Sequence, residues 1–335
     1  MSQTPPGPRE VGRTGLRLPA LGLGCAPVGN LHRALPEDDA QDIVRAALDS
    51  GSSYLDTAPY YGAGLSEERL GRALAGRDRA SYILSTKVGR RLRPLAPGES
   101  ADPAGFVGAP ARACEWDFSR DGIRATLGAS LERLGTDAVD IVYLHDVENH
   151  LRQTYETGFP ALAELRDQKL VRAIGFGMNV SGVLARLVAD LDVDVVLCAG
   201  RWTLLERSGH DELLPVCERR GTSVVVGGVY NSGLLADPVP GALYNYRAAP
   251  PEVLGRARRM AEVCGEFGVP LPAAALRFPF GHPSVVSAVV GAHSAREARQ
   301  NAQWFRHDIP DALWPALVEQ GLLDGDVPLP PSTGA

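Results

Sequence analysis

The sequence contains no long hydrophobic run and no excess of positive charge. Hydrophobic residues make up 44% of the chain, yet no apolar stretch approaches the roughly 18 residues that a membrane-spanning helix needs. The formal net charge is −6, so electrostatics gives no reason to expect nucleic acid or an anionic membrane as a partner. We therefore expect a globular protein that has neither partner.

The chain also has few cysteines, and their spacing matches no metal or redox motif. The five cysteines lie far apart, without a Cys-x-x-Cys pair or a Cys/His spacing typical of zinc sites. We interpret them as reduced structural thiols and predict no metal site. Residues 1–10 are polar and proline-rich, and they lack the basic-then-apolar order of a signal peptide. These features predict a cytoplasmic location.

Apolar segments of strand length alternate with segments of helical periodicity along the whole chain. The predicted strands are short and almost continuously apolar, at residues 21–26, 53–57, 82–88, 138–145, 171–177, 193–199, 223–229 and 285–291. Each is followed by a predicted helix, at residues 37–50, 66–75, 120–134, 154–168, 181–189, 211–220, 251–267 and 294–305. Strands of this composition are typical of parallel sheets that are buried on both faces.

Eight strand–helix units are the number that closes a (β/α)8, or TIM, barrel of the α/β class. A doubly wound sheet is the alternative, but no Gly-x-Gly-x-x-Gly motif follows the first strand, and the barrel is favoured. Residues 11–18 predict an N-terminal hairpin that plugs one end of the barrel. We predict one domain over residues 1–335, with its core at about 10–310 and a tail at 311–335.

Two connections, at residues 89–119 and 230–250, are long for this fold. Both follow strands, so both lie at the C-terminal face, where barrel active sites are built. We predict that they act as lids, with surface insertions as the alternative. Trp116 and Phe118 of the first loop are candidates for the pocket wall, and we interpret its arginines at 90, 91 and 93 as solvated.

Polar side chains stand at the carboxyl ends of consecutive predicted strands. Asp56 closes the second strand, Lys87 the third and His145 the fourth, and Tyr61 follows in the loop after Asp56. Singly, such residues are more often a helix cap, a surface charge or a satisfied core histidine. Because adjacent strand ends converge on one mouth of a barrel, we expect all four to meet there.

These residue types can transfer a proton to or from a carbonyl or carbinol. A tyrosine has an ordinary pKa of about 10, and a neighbouring ammonium group lowers it. An aspartate paired with Lys87 would keep that lysine charged and fixed, and His145 can orient a substrate oxygen. A separate cofactor must then carry the hydride. The group therefore predicts an oxidoreductase.

Local sequences around these four residues resemble the aldo-keto reductase superfamily. Residues 51–74 read Gly-Ser-Ser-Tyr-Leu-Asp-Thr-Ala-Pro-Tyr-Tyr-Gly-Ala-Gly-Leu-Ser-Glu-Glu-Arg-Leu-Gly-Arg-Ala-Leu, which resembles the family signature. Residues 83–87, Ile-Leu-Ser-Thr-Lys, resemble its lysine strand, and residues 139–145, Val-Asp-Ile-Val-Tyr-Leu-His, its histidine strand. The resemblance implies Tyr61 as acid/base, Lys87 and Asp56 as its tuning pair, and His145 as substrate orienter.

The resemblance also implies a nicotinamide dinucleotide, bound across the barrel mouth without a Rossmann fold. The implied cofactor-binding residues are Gly24, Cys25, Asp56, Met178, Asn179, Gly228, Tyr230, Ser232, Gly233, Leu234, Gly291, Ser294, Gln300 and Asn301. The implied substrate-binding residues are Tyr60, Trp116 and His145. No metal is implied.

The adenosine-end segment suggests which dinucleotide is preferred. Counting back from Asn301, the family's phosphate-binding arginine position holds Glu297, and its lysine position holds Gly291. A carboxylate repels the 2′-phosphate of NADP, so we expect NAD to be preferred, with NADP as the alternative. Arg296 and Arg299 are the competing signal, because arginine binds phosphate through charge-assisted hydrogen bonds.

Departures from the common family pattern look like the aldose (fucose-type) 1-dehydrogenase branch, which pyridoxal 4-dehydrogenases also resemble. One departure is Gly227, at the position of the usual stacking tyrosine. We therefore expect oxidation of a small aldose to its lactone. The alternatives are a pyridoxal 4-dehydrogenase, a general aldehyde or ketone reductase, and a non-enzymatic, cofactor-binding regulatory subunit. The sequence carries no signal of oligomeric state.

Overall fold

The computed structural model describes residues 2–101 and 105–331. Eight parallel strands close a barrel in chain order, and the last strand pairs with the first. The strands, labelled β1 to β8, are Leu21–Gly24, Tyr54–Asp56, Ile83–Val88, Ile141–His145, Ala173–Met178, Val195–Ala199, Ser223–Gly227 and Val285–Val290. The predicted (β/α)8 barrel is confirmed, because every predicted strand contains one of the observed strands or overlaps it.

Helices surround the barrel and connect its strands. Those labelled α1 to α10 are Glu37–Asp49, Leu65–Leu74, Arg120–Leu134, Phe159–Asp167, Ser181–Asp190, Leu213–Arg220, Pro251–Glu266, Leu271–Arg277, Ala295–Phe305 and Leu313–Glu319. Two short segments precede α4, an α-helical turn at Leu151–Gln153 and a π-helical turn at Thr154–Gly158. The sequence analysis missed α8, which lies between α7 and β8.

An N-terminal hairpin closes the amino-terminal end of the barrel, as predicted. Its strands, Arg9–Glu10 and Arg17–Leu18, pair antiparallel. Val11 and Leu16 are buried in the same apolar cluster as side chains of the barrel interior. The backbone N–H of Gly12 donates a hydrogen bond of 2.8 Å to Oγ of Ser223, at the first residue of β7.

Both long loops at the opposite end carry short hairpins. In the first, Arg90–Pro94 pairs antiparallel with Arg112–Trp116, and in the second, Leu243–Tyr244 pairs with Arg247–Ala248. Residues 102–104 of the first loop lie outside the described residues. That the loops act as lids stays a prediction.

Residues 311–331 pack against the barrel rather than extending from it. Ile309–Pro310 pairs with Ser2–Gln3, and α10 buries Leu313, Trp314 and Leu317. Within residues 2–101 and 105–331, no helix has the length and apolar character needed to cross a membrane. The assignment of residues 1–335 to one domain stays a prediction.

Candidate active site

The four predicted site residues meet at the carboxyl-terminal mouth of the barrel. Asp56 closes β2, Lys87 lies one residue before the end of β3, and His145 closes β4. The strand register fixes these positions, because Asp56 pairs with Ser85 and Lys87 with Tyr143. Tyr61 follows in the loop between β2 and α2.

Lys87 is the centre of the group. Its ammonium nitrogen donates hydrogen bonds to Oδ2 of Asp56 at 2.7 Å, to the carbonyl oxygen of Thr57 at 2.9 Å and to the hydroxyl of Tyr61 at 3.0 Å. An ammonium group has three donors, so these contacts use all of them. Lys87 and Asp56 are 1% and 2% exposed, so the ion pair is almost fully shielded from water.

Burial would lower the pKa of Lys87, but the charge of Asp56 and the contacts with Tyr61 leave it raised. Lys87 is therefore a permanent cation at physiological pH. Burial of the phenol raises the pKa of Tyr61 to about 12, although the charge of Lys87 opposes this. The effect of Lys87 has the predicted sign, but the cost of burying a phenolate is larger, so the pKa of Tyr61 is raised on balance;.

His145 lies beside Tyr61, with the two ring centroids 6.0 Å apart and the ring planes at 85°. Burial lowers the pKa of His145 well below its ordinary value, and the charges of Lys87 and Arg90 lower it further. The imidazole is therefore neutral at pH 7. Among the described residues, its buried Nδ1 has no hydrogen-bond partner. A neutral imidazole can still donate one hydrogen bond to a substrate oxygen.

A series of hydrogen-bonded hydroxyl groups inside the barrel contacts the carboxylate of Asp56. Oγ of Ser85 donates to Oδ1 of Asp56 at 2.7 Å, and the hydroxyl of Tyr54 lies 3.0 Å from Ser85 and 3.1 Å from that of Tyr143. Since a hydroxyl has one proton, Ser85 must accept from Tyr54, and Tyr54 must accept from Tyr143. All of these protons therefore point toward the Asp56 carboxylate.

These hydrogen-bonded hydroxyl groups were not predicted from the sequence, although their positions along the strands indicate them. Tyr54, Ser85 and Tyr143 each lie two residues before a site residue on the same strand. Side chains two apart on a strand point to the same face, so each hydroxyl lies one layer deeper in the barrel interior.

Two glycines leave the space that this arrangement needs. A Cβ at Gly177 would lie 3.3 Å from Cε of Lys87, which is tight against the lysine side chain. Gly62 has φ +64°, and a Cβ there would lie 2.3 Å from the carbonyl oxygen of Gly29. The turn directly after Tyr61 can therefore pack against the β1–α1 connection only if residue 62 is glycine.

We call Asp56, Tyr61, Lys87 and His145 the tetrad. It opens into a cavity of about 590 Å³, which we call the active-site cavity. Tyr60, Tyr61, Lys87 and His145 line it, together with residues from three loops that sequence reasoning did not assign, Leu31, His32, Phe106 and Tyr246. The predicted substrate residue Tyr60 thus lies in the wall. Trp116 is not part of the cavity lining, so its direct contact with substrate stays a prediction.

Arg90 also lines the active-site cavity, and its interpretation as a solvated charge is wrong. Its side chain is 13% exposed and is paired with Asp146. The guanidinium carbon lies 4.0 Å from the ring centroid of Tyr60 and 4.2 Å from that of Trp116. Phe118 is buried and stacked on Trp116, so it helps to fix the Trp116 ring that contacts Arg90.

The predicted cofactor residues fall into two groups. Near the tetrad, Met178 and Asn179 line the active-site cavity, and the Asn179 carboxamide can both donate and accept hydrogen bonds there;. Gly24 closes β1 beside Asp56. Cys25 and Leu234 are fully buried, so the structure gives neither an exposed surface toward a ligand.

The second group joins the loop after β7 to helix α9. The hydroxyl of Tyr230 donates to Oδ1 of Asn301 at 3.0 Å, and Nδ2 of Asn301 donates to the carbonyl oxygen of Gly291 at 3.3 Å. Ser294 caps α9 by accepting from the N–H of Glu297. The remaining members lie in the loop after β7 and on α9, namely Gly228, Ser232, Gly233 and Gln300.

A second cavity, of about 280 Å³, lies against α9 and is lined by Arg296, Arg299, Gln300 and Gln303. Its cations and amides suit the ribose and phosphate groups of a nucleotide. With Asn179 in the wall of the active-site cavity, these residues fit a dinucleotide. Among the described residues, no group of three or more His, Cys, Asp or Glu side chains is placed to hold a metal ion. That activity needs no metal stays a prediction.

The chain is similar to known proteins along almost its whole length. The profile of the Aldo/keto reductase family matches residues 20–320. The chain is 44% identical over 330 residues to D-threo-aldose 1-dehydrogenase from Pseudomonas sp, covering 96% of this chain and 99% of that protein. It is 37% identical over 334 residues to pyridoxal 4-dehydrogenase from Microbacterium luteolum, covering 94% and 97%. An aldo-keto reductase from Bacillus halodurans, solved in its holo form, has a TM-score of 0.74 at 27% identity and covers 96% of this chain and 97% of its own.

Proposed function

Because the chain belongs to the aldo/keto reductase family, we propose that it oxidises a small aldose at its anomeric carbon to the lactone, with NAD as the preferred cofactor. The observation that carries this proposal is the buried Asp56–Lys87 pair, hydrogen-bonded to Tyr61 beside neutral His145 at the active-site cavity. The family consists of oxidoreductases that use nicotinamide cofactors.

Tyr61 is the proposed proton-transfer residue. In the oxidative direction it accepts the proton of the anomeric hydroxyl, which requires its phenolate form. The ammonium of Lys87, at 3.0 Å from the Tyr61 oxygen, stabilises that form;. Asp56 keeps Lys87 charged and in place.

His145 is the proposed orienting residue. Its neutral imidazole donates a hydrogen bond to the reacting oxygen and places that oxygen beside Tyr61. An imidazolium would add a positive charge next to Lys87 and Arg90, whose charges lower the His145 pKa. The electrostatics of the site therefore support a hydrogen-bond donor that does not itself titrate during turnover.

The cofactor would be held by Asn179 at the active-site cavity and by Gln300 and its neighbours at the second cavity. When bound, the nicotinamide supplies the acceptor for the hydride that leaves the anomeric carbon. Met178, Gly228, Tyr230, Ser232, Gly233, Gly291 and Asn301 are proposed to shape the surface between the two cavities.

The preference for NAD rests on Glu297. Its carboxylate accepts a hydrogen bond of 2.9 Å from the N–H of His293, and its own N–H donates to Ser294. These two hydrogen bonds fix the Glu297 carboxylate at the start of α9, where its negative charge would repel a 2′-phosphate. Arg296 and Arg299 line the second cavity, and their positive charges would attract a 2′-phosphate and so favour NADP.

An aldose is favoured over pyridoxal by the 44% identity to a protein named D-threo-aldose 1-dehydrogenase, against 37% to pyridoxal 4-dehydrogenase. A flat heteroaromatic substrate needs a free ring to stack on. Tyr60 and Trp116 each have a face covered by the Arg90 guanidinium, and Phe118 is 1% exposed. Such a substrate would therefore have to stack on Phe106 or Tyr246 of the cavity wall.

Steady-state rates test the proposal, measured with L-fucose, D-arabinose, L-galactose and pyridoxal, each with NAD and with NADP. We expect NAD reduction with at least one aldose and a lower KM for NAD than for NADP. Turnover with pyridoxal and none of the sugars would replace the aldose with the aromatic substrate. Tight cofactor binding without turnover of these substrates or of simple aldehydes would favour the regulatory subunit.

A further inference from the structure

Arg90 and Asp146 form an ion pair on the wall of the active-site cavity. Arg90 begins the hairpin of the first long loop, and Asp146 directly follows His145. The rings of Tyr60 and Trp116 hold the guanidinium at 4.0 and 4.2 Å. Because its plane is fixed by these contacts, Arg90 does not have to be ordered when a ligand binds.

Asp146 is fixed just as firmly. It has φ +46°, a left-handed conformation that is unusual for a residue other than glycine, and its N–H donates to the carbonyl oxygen of Gly177 at 3.0 Å. Residues held in such sparsely populated conformations cluster at functional sites. The result places Oδ2 of Asp146 at 3.6 Å from Nε2 of His145.

The ion pair does not satisfy all of its own polar atoms. Within the part of the chain that the structure describes, the buried Nε of Arg90 has no hydrogen-bond partner. Burial raises the pKa of Asp146, although the charge of Arg90 opposes this. Nε itself lies beneath the surface, but Arg90 and Asp146 both line the active-site cavity. A further polar group there would therefore meet a guanidinium and a carboxylate that is incompletely stabilised.

The chemistry of the pair defines the ligand group. A substrate carboxylate or phosphate would be attracted by Arg90 but repelled by Asp146, and a cation would meet the reverse. A hydroxyl group is neutral, donates one hydrogen bond and accepts another, so it suits both charges at once. Since adjacent hydroxyls of a sugar are about one hydrogen-bond length apart, a hydroxyl next to the oxygen held by His145 is within reach of Asp146.

We propose that Arg90 and Asp146 bind the hydroxyl on the carbon adjacent to the reacting carbon, and that they make this enzyme selective for substrates with a hydroxyl there. The Asp146 carboxylate accepts a hydrogen bond from this hydroxyl, and the Arg90 guanidinium donates a hydrogen bond to its oxygen. This inference rests on the proposed function for the identity of the reacting carbon. It names the substrate class more closely, as 2-hydroxy aldehydes and their cyclic hemiacetals.

Two pairs of substrates test the proposal. D-Arabinose and its 2-deoxy form, 2-deoxy-D-ribose, are compared in oxidation. Lactaldehyde and propanal, which differ only by the hydroxyl on the adjacent carbon, are compared in reduction. In the parent enzyme we expect kcat/KM to favour the hydroxylated member by roughly 10- to 100-fold, the range for hydrogen bonds to charged groups. The reductive pair is informative even if no aldose is oxidised.

The variants are Arg90→Met and Asp146→Gly, with Arg91→Met as the matched control. Glycine suits the positive φ at position 146. Arg91 lies on the same hairpin, but its side chain is 43% exposed and pairs with Glu115 at 3.2 Å. We expect both test variants to reduce the preference for the hydroxylated member to within about threefold, and Arg91→Met to keep it. Circular dichroism and cofactor-induced fluorescence quenching identify variants that fold.

The outcomes separate this inference from the proposed function. Loss of the preference in the folded test variants supports the role of the pair. If either folded variant keeps it, or if the parent enzyme shows no preference in either pair, the inference is wrong even where aldoses are oxidised. If no aldose is oxidised but the preference for lactaldehyde over propanal depends on Arg90 and Asp146, the inference stands and the aldose proposal fails.

Discussion

The ammonium nitrogen of Lys87 lies 2.7 Å from Oδ2 of Asp56, and both side chains are almost completely buried. A buried ion pair contributes little net free energy to folding, because the cost of removing two charges from water offsets most of their attraction. What the pair provides is a fixed positive charge 3.0 Å from the Tyr61 hydroxyl.

Removing one partner of the pair is expected to destabilise the fold. Lys87→Met leaves the Asp56 carboxylate buried without a counter-charge, which typically costs about 3–5 kcal/mol. The double variant Lys87→Met/Asp56→Asn should recover part of that loss, because no uncompensated charge remains. Urea unfolding of the parent, the single and the double variant measures both effects. A Lys87→Met variant within about 1 kcal/mol of the parent would contradict this account.

Tyr61→Phe is expected to remove most of the turnover while dinucleotide binding persists. The substitution deletes the proton-transfer group but keeps the ring that packs against Phe106 and His145. Losing a general acid/base typically lowers kcat by roughly 10²–10⁴-fold. Steady-state kinetics, with cofactor binding followed by fluorescence, makes the comparison. Near-normal kcat in this variant would exclude Tyr61 as the proton-transfer residue.

The two directions of the reaction should depend differently on pH. Because burial raises the pKa of Tyr61 to about 12, the phenol is protonated at neutral pH. Reduction needs this protonated form and should change little between about pH 7 and 9, whereas oxidation needs the phenolate and should become faster by up to about tenfold per pH unit. His145, whose pKa is well below its ordinary value, should add no inflection near about 6.5.

Profiles of kcat/KM in both directions measure this pH dependence. A plateau of the oxidative rate already at neutral pH would mean that the phenolate forms far more readily than its buried surroundings indicate. An inflection near about 6.5 that disappears in His145→Gln would show that His145 titrates during turnover.

Much of the fold is predictable from local sequence. Strands such as Ser223–Gly227 are continuously apolar, and helices such as Ala295–Phe305 begin with a Ser-x-x-Glu cap;. Helix α8, Leu271–Arg277, was missed because it is buried on every side. A buried helix has no amphipathic pattern for periodicity to detect.

The site was predictable where it follows strand ends and unpredictable where it depends on contacts between distant segments. Asp56, Lys87 and His145 each stand at or next to a strand terminus, which topology alone brings together. The burial of Arg90 depends instead on Tyr60 and Trp116, which come from other parts of the chain. No local pattern distinguishes Arg90 from its neighbour Arg91, which is 43% exposed.

Ser85 is expected to act as a positioning residue for Asp56. Ser85→Ala removes the 2.7 Å hydrogen bond to Oδ1 of Asp56 and leaves Tyr54 without its acceptor. We expect a destabilisation of about 1–3 kcal/mol. The oxidative pH profile should also shift to higher pH, because a less neutralised Asp56 charge raises the pKa of Tyr61.

The control for this prediction is Ser287→Ala. Ser287 is also buried on a barrel strand, but its hydroxyl donates to the carbonyl oxygen of Pro19 at 2.8 Å, away from the tetrad. The Ser287→Ala variant should be less stable than the parent but have the same oxidative pH profile. Ser85→Thr, which keeps a hydroxyl at position 85, should have the stability and the pH profile of the parent. Equal profiles for Ser85→Ala and Ser287→Ala would reduce Ser85 to a purely structural role.

Glu297→Gln is expected to weaken the preference for NAD over NADP. The glutamine carbonyl can still accept the hydrogen bond from His293, so the cap of α9 survives while the negative charge is lost;. Charge interactions at exposed sites are worth about 0.2–1 kcal/mol, so the ratio of the KM values should move toward NADP by about 1.5- to 5-fold. Glu132→Gln, an exposed glutamate on α3, removes the same charge elsewhere and should leave the ratio unchanged. Equal shifts of the KM ratio in both variants would mean that net charge, and not the position of Glu297, causes the change. A lower KM for NADP than for NAD in the parent enzyme would overturn the cofactor assignment itself.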